Sequence, residues 1–139
     1  MNQEVTLTEM LEAREARVYR QQALMEQYGL PVISFSLNIA GPVKNGSVIR
    51  RAFREGMSRL SDTLQAERVE VERREEVDQP TGCEALLAVR GDARGIKLLC
   101  AELEDEDPLG RLFDMDVLSP DGVKLDREEF GYPDRKSVV

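Results

Sequence analysis

Two aspartates one residue apart, Asp114 and Asp116, stand inside the run Gly110-Arg-Leu-Phe-Asp-Met-Asp-Val-Leu118. Their neighbours Leu112, Phe113, Met115, Val117 and Leu118 are apolar and strand-like. Residues i and i+2 of a strand point to the same side, so the two carboxylates project together, about 7 Å apart at the backbone. Adjacent carboxylates repel one another and are costly to desolvate. A divalent cation relieves both costs, and Mg2+ favours a few carboxylates together with substrate phosphates. The chemistry this suggests is metal-assisted transfer at a phosphate. The same spacing also fits the solvated face of an amphipathic edge strand with Phe113, Met115 and Val117 buried, and spacing alone does not separate the two. An EF-hand is excluded, because Ser119 stands where its loop requires glycine.

The chain contains no histidine. Ser-His-Asp and Cys-His nucleophilic machinery cannot be assembled from it, nor can His-ligated zinc or iron sites. A general base has to be a carboxylate, a lysine, a tyrosine or the substrate itself. Cys83 and Cys100 lack the C-x-x-C spacing of a zinc site and are too few for a disulfide scaffold.

The formal net charge of −8 argues against a nucleic-acid binder acting through bulk electrostatics. Positive charge is nevertheless clustered: Arg14, Arg17 and Arg20 in one segment, Lys44, Arg50, Arg51, Arg54 and Arg59 in another. Acidic residues gather at Glu102-Leu-Glu-Asp-Glu-Asp107 and after Asp121. A basic wall facing an acidic metal site would suit an anionic substrate, although ordinary surface charge accounts for many arginines. The length, 139 residues, is one domain's worth, and no apolar run approaches the roughly 20 residues of a membrane span. The polar start Met1-Asn-Gln-Glu-Val5 is not a signal peptide, so a cytoplasmic protein without membrane contact is expected.

The elements that must carry these groups follow from periodicity. A long helix is expected from about Thr6 to Tyr28, with Leu7, Met10, Leu11, Val18 and Leu24 as a partial apolar stripe, closed by Gly29 and Pro31. Pro31 to Ile39 alternates as a strand with Ile33, Phe35, Leu37 and Ile39 on one face. A second helix runs from about Ser47 to Ala66 on Ile49, Phe53, Met57, Leu60 and Leu64. Val69 to Val71 begins a strand, and Asp78-Gln-Pro-Thr-Gly82 is a turn before the apolar strand Ala85 to Val89. Asp92 caps a third helix to about Glu106. Leu112 to Leu118 is the aspartate strand, and Ser119-Pro-Asp-Gly122 turns into a return strand through Leu125. From Asp126 onwards no element is expected. The order implies an α/β, or α+β, sandwich with a mixed sheet flanked by helices. The loop Gly41-Pro-Val-Lys-Asn-Gly46 lies between a strand end and a helix start. There, free N–H groups and Lys44 would suit a phosphate, or simply form a β–α connection.

Taken in order, several segments resemble the apo-citrate lyase phosphoribosyl-dephospho-CoA transferases, also called citrate lyase holo-acyl-carrier-protein synthases. The matching pieces are Arg14-Glu-Ala-Arg17, Pro31-Val-Ile-Ser-Phe35, Gly41-Pro-Val-Lys44 and Arg50-Arg-Ala-Phe53. They continue with Glu102-Leu-Glu104, Pro108 to Val117, Ser119-Pro-Asp-Gly122 and Pro133-Asp-Arg135. The family is similar in mechanism to malonate decarboxylase holo-carrier-protein synthases, whose D-x-D site resembles that of nucleotidyltransferases. The resemblance implies a nucleotidyltransferase-like fold. It also implies transfer of triphosphoribosyl-dephospho-CoA to a serine of the citrate lyase acyl carrier protein, with release of diphosphate. By the same resemblance Asp114 and Asp116 would hold Mg2+. Arg111, Lys44, Arg14 and Arg17 would contact phosphates, with Arg50, Arg51 and the Gly110 turn beside them. Glu102 and Glu104 are candidates for a third carboxylate or a base. Family members continue for some tens of residues past the point where the match stops, at Lys136, and Ser137 stands where a cysteine is expected. The chain is therefore read as a single transferase domain lacking the family's C-terminal tail. Two other readings stay open on the residues alone: a non-catalytic module that binds a carrier protein through arginine-rich helices, and a nucleotidyltransferase with another hydroxyl acceptor.

Overall fold

The computed structural model describes residues 3–132. Thr6 starts the first helix, α1 (Leu7–Tyr28), through a capping box: its hydroxyl accepts from the Glu9 N–H at 3.1 Å, and the Glu9 carboxylate accepts from the Thr6 N–H at 3.0 Å. Gly29, in the left-handed region at φ 63°, closes it as the sequence predicts. The next elements are strand β1 (Val32–Leu37), helix α2 (Ser47–Ala66), strands β2 (Glu70–Gln79) and β3 (Gly82–Arg90), helix α3 (Ala93–Glu106) and strand β4 (Phe113–Leu118). The strands form one sheet in the order β2-β3-β1-β4.

The α+β sandwich forms as expected, but its sheet is antiparallel in every pairing rather than mixed. β2 and β3 are joined by a tight hairpin, while α2 and α3 each cross from one strand to another that runs in the same sense but is not its neighbour in the sheet. The main core lies on one face, where Phe53, Met57, Leu60 and Leu64 of α2 and Ile96 and Cys100 of α3 cover Ile33, Phe35, Leu87, Val89, Phe113, Met115 and Val117. Phe35 stacks on Phe53 at 5.1 Å and meets Phe113 edge-on at 5.6 Å. Helix α1 covers the other face with Leu24 and Met25, over Val32 and Leu86.

Three expectations need correction. The apolar stripe read on α1 is only partly its packing face: Leu24 is buried, beside Gln21 and Met25, while Leu7, Leu11 and Val18 are exposed. β2 extends to ten residues although only its start was legible. The return segment after Gly122 makes one bridge, Leu118 to Lys124, in place of a strand, and a 3-10 turn forms at Arg127–Phe130 where no element is expected.

β4 is an edge strand, and its outer backbone groups are capped from the side. The Met115 N–H donates to Glu104 at 2.9 Å, Lys97 donates to the Met115 carbonyl at 3.1 Å, and the Leu125 N–H donates to Val117 at 2.9 Å. Such capping prevents pairing with another chain and fixes the strand that carries both aspartates.

Cys100 is completely buried on α3, and burial pushes its thiol up to about 12. The unfolded thiol ionises near 9, so the folded protein holds this proton where the unfolded chain releases it. The stability from this group is complete below that value and declines as pH rises towards the folded one. Denaturant midpoints should therefore fall through the alkaline range, and Cys100→Ala should flatten the fall. In the native protein a thiol reagent near pH 8 should leave Cys100 unmodified.

Candidate active site

The site is built from the face of the sheet beneath α1. β4 alternates strictly: Phe113, Met115 and Val117 are buried in the main core, while Asp114, Asp116 and Leu118 lie on the other face and are partly exposed. The two aspartates thus share one side, as their spacing predicts. In the antiparallel register Asp116 lies opposite Ser34, and Asp114 opposite Ser36. Ser36 in turn lies opposite Glu84 of β3. A polar row of Asp114, Ser36 and Glu84 therefore crosses three strands, its outer members about 10 Å apart at the backbone.

Helix α1 supplies the complementary charge. Arg17 approaches Glu84 at 3.4 Å and Arg20 at 2.8 Å, one on each carboxylate oxygen. The next residue, Gln21, donates its side-chain amide to Ser34 at 2.9 Å. Glu84 and Ser34 are both buried under the helix. On the far side of the row, the turn after β4 brings Lys124 to within 3.3 Å of Asp116. That lysine is 57 % exposed and makes a surface pair, worth under about 1 kcal/mol and easily exchanged for another cation. Arg17 and Arg20 thus pair with Glu84, and Lys124 pairs with Asp116.

Not every residue singled out in the sequence belongs to this face. Arg14 is exposed on α1, one turn before Arg17. Arg111 lies in the 3-10 turn Gly110–Leu112 that leads into β4 and is exposed. Lys44 folds back and donates to the Ile39 carbonyl at 2.5 Å, which ties down its own loop. Arg50 pairs with Asp78 at 3.2 Å beside the β2–β3 hairpin, and Arg51 is exposed on α2, in the layer opposite α1. Gly110 is buried for a packing reason: a Cβ there would lie 2.2 Å from the Glu104 carbonyl oxygen. Glu104 holds the Met115 N–H and the Arg127 guanidinium at 3.2 Å, a structural engagement on the rim of β4. Pro133, Arg135, Lys136 and Ser137 lie outside the described residues.

Sequence reasoning missed Glu84 and left out Arg20. Glu84 opens an otherwise apolar strand, and its partners lie 64 and 67 residues away, so nothing local marks it. A glutamate beside five consecutive buried residues was the available signal, since a buried carboxylate requires a cation.

As a metal site, the face offers hard oxygen donors, two aspartate carboxylates with serine hydroxyls alongside, which fit Mg2+ better than a softer ion. Among the described residues no cluster of three or more His, Cys, Asp or Glu side chains is placed to hold a metal. An ion here would complete its shell from substrate oxygens and water.

A family model described as apo-citrate lyase phosphoribosyl-dephospho-CoA transferase matches residues 5–139. The chain belongs to that family. Relatives named apo-citrate lyase phosphoribosyl-dephospho-CoA transferase from Escherichia coli O1:K1 and from Shigella boydii serotype 18 are each 33 % identical over 135 residues. The alignment spans 97 % of this chain and 74 % of each relative. The family resemblance read from the ordered motifs is thereby borne out, and the named relatives are transferases. Among the described residues, no helix of this transferase-family chain is long and apolar enough to cross a membrane.

Proposed function

We propose that this chain transfers the triphosphoribosyl-dephospho-CoA group to a serine of the citrate lyase acyl carrier protein and releases diphosphate. The observation that carries the reading is the shared face of Asp114 and Asp116, set beside Ser34, Ser36 and the α1 arginines, in a member of this transferase family. The serine oxygen forms a bond to the phosphorus nearest the ribose, the bond from that phosphorus to the outer diphosphate breaks, and the hydroxyl proton leaves to solvent or to the departing diphosphate. Asp114 and Asp116 are the residues that would hold Mg2+. When bound, the ion would offset charge on the leaving diphosphate.

The protein's own contribution is positioning and electrostatics, for which the lack of histidine is no handicap. Arg17 supplies a planar set of donors for phosphate oxygens, with Arg14 and Arg111 at the approaches. Lys44, Arg50 and Arg51 have at most a peripheral part, given their engagements or their layer. Nucleic acid is not a partner on this reading, in keeping with a net charge of −8. A cytoplasmic setting agrees with two buried, unpaired cysteines.

The experiment is an intact-mass spectrum of the apo-carrier after incubation with this chain, Mg2+ and the triphosphoribosyl precursor. The expected result is a mass gain equal to the precursor less diphosphate, with diphosphate appearing in equal amount. An unmodified carrier would reject the reading. Carrier binding without diphosphate release would point to a non-catalytic module.

A further inference from the structure

The arrangement of Arg17, Arg20 and Glu84 goes beyond what burying a carboxylate requires. The Glu84 side chain is 6 % exposed, and a single guanidinium would neutralise it. Two are present, one on each carboxylate oxygen, and their side chains are 26 % and 27 % exposed. The group carries a net positive charge at the edge of the polar row that leads through Ser36 to Asp114. Each guanidinium has five N–H donors, and the contact with Glu84 uses a minority of them. The Arg20 Nε is buried without a hydrogen-bond partner. Gln21, bonded to Ser34, fixes the same stretch of helix against the sheet.

We infer that Glu84 is a positioning residue that holds Arg17 and Arg20 side by side as a preformed clamp for the polyphosphate oxygens of the substrate. This rests on the proposed function, in which Asp114 and Asp116 would hold the Mg2+ that serves the polyphosphate, and it adds Arg20 as a phosphate contact. A long arginine side chain loses rotamer freedom when it grips a ligand. Glu84 imposes that loss in advance, so that phosphate meets donors already aligned for two-point contact.

The sign of one measurement distinguishes positioning from plain charge balance. If Glu84 only offsets positive charge, Glu84→Gln makes this face more cationic and an added polyanion binds more tightly. If Glu84 orients the arginines, the same change loosens them and the polyanion binds more weakly. The experiment is a calorimetric titration of the full chain with inorganic triphosphate, in chelator and at fixed ionic strength. Wild type, Glu84→Gln and Arg20→Lys are compared, each checked by thermal unfolding.

Both variants should weaken triphosphate binding about tenfold, the scale of one lost charge-assisted hydrogen bond. In the transfer assay the same loss should fall mainly on KM for the precursor, with kcat changed much less. Glu84→Gln binding triphosphate as tightly as wild type, or more tightly, overturns the inference. Should Glu84→Gln fail to fold, Arg20→Lys decides, since it keeps the charge and loses the planar fork; unchanged affinity there overturns it equally. A wild-type chain that modifies the carrier but takes up no triphosphate refutes the clamp and leaves the transferase standing. Triphosphate binding that weakens as stated, in a chain that transfers nothing, refutes the transferase and leaves the anion clamp.

Discussion

Asp114→Asn is expected to slow transfer to the carrier serine on the order of a thousandfold, the scale of losing a main electrostatic contact in a transition state. Asparagine preserves the size of the side chain and one of its oxygens, and replaces the other with an uncharged N–H donor that a divalent ion does not bind. The backbone beneath is held by other means. Phe113, Met115 and Val117 anchor β4 in the core, while Lys97 and Glu104 cap Met115. The variant should therefore stay folded, which thermal unfolding run beside the transfer assay checks. Asp116→Asn should act in the same direction, also releasing Lys124 from its surface pair. The double variant should lose little more than either single one, because groups that hold one ion fail together. Full activity in Asp114→Asn would remove the metal role from this face.

Gly110→Ala is expected to have the largest effect on stability, about 3 kcal/mol or more, because the clash it creates is with backbone. Its Cβ would lie 2.2 Å from the Glu104 carbonyl oxygen and 2.6 Å from that of Leu103, atoms that no rotamer change can move aside. The last turn of α3 would have to shift, and with it the Glu104 carboxylate that caps the Met115 N–H. A loss of that size corresponds to a thermal midpoint lower by roughly 10 °C. At temperatures where the variant stays folded, KM for the precursor should remain near that of wild type. Native stability combined with a large rise in KM would instead return Gly110 to the substrate-contacting role that its place beside Arg111 suggested.

The aspartate pair was legible in the sequence because the rule behind it is local: alternate residues of a strand share a face, and the apolar residues between them identify the strand. Helix α2 was legible for a similar reason, since Phe53, Met57, Leu60 and Leu64 recur at helical spacing and are all buried. Where burial does not follow a single period, the reading failed. β2 runs Glu-Val-Glu-Arg-Arg-Glu-Glu-Val-Asp-Gln, an edge strand exposed along most of its length, so no apolar alternation marks it. Charge pairing takes the place of burial there, with Arg73 on Glu75, Arg74 on Glu76 and Arg90 on Glu72. On α1 the exposed Leu7, Leu11 and Val18 imitate a packing stripe, while the face that meets the sheet is polar over Arg17, Arg20 and Gln21. That polar face is also the part of the site the sequence concealed. An arginine that serves a buried glutamate 64 residues away has no local signature, and the antiparallel sheet that joins them depends on equally distant pairings.

Mn2+ uptake followed by electron paramagnetic resonance in the presence of the triphosphoribosyl precursor tests most directly the proposed grip of Asp114 and Asp116 on one divalent ion. One tightly held Mn2+ per wild-type chain is expected, and its loss in the folded Asp114→Asn, Asp116→Asn double variant. Unchanged Mn2+ uptake by the double variant, or transfer at full rate in excess chelator, would contradict it.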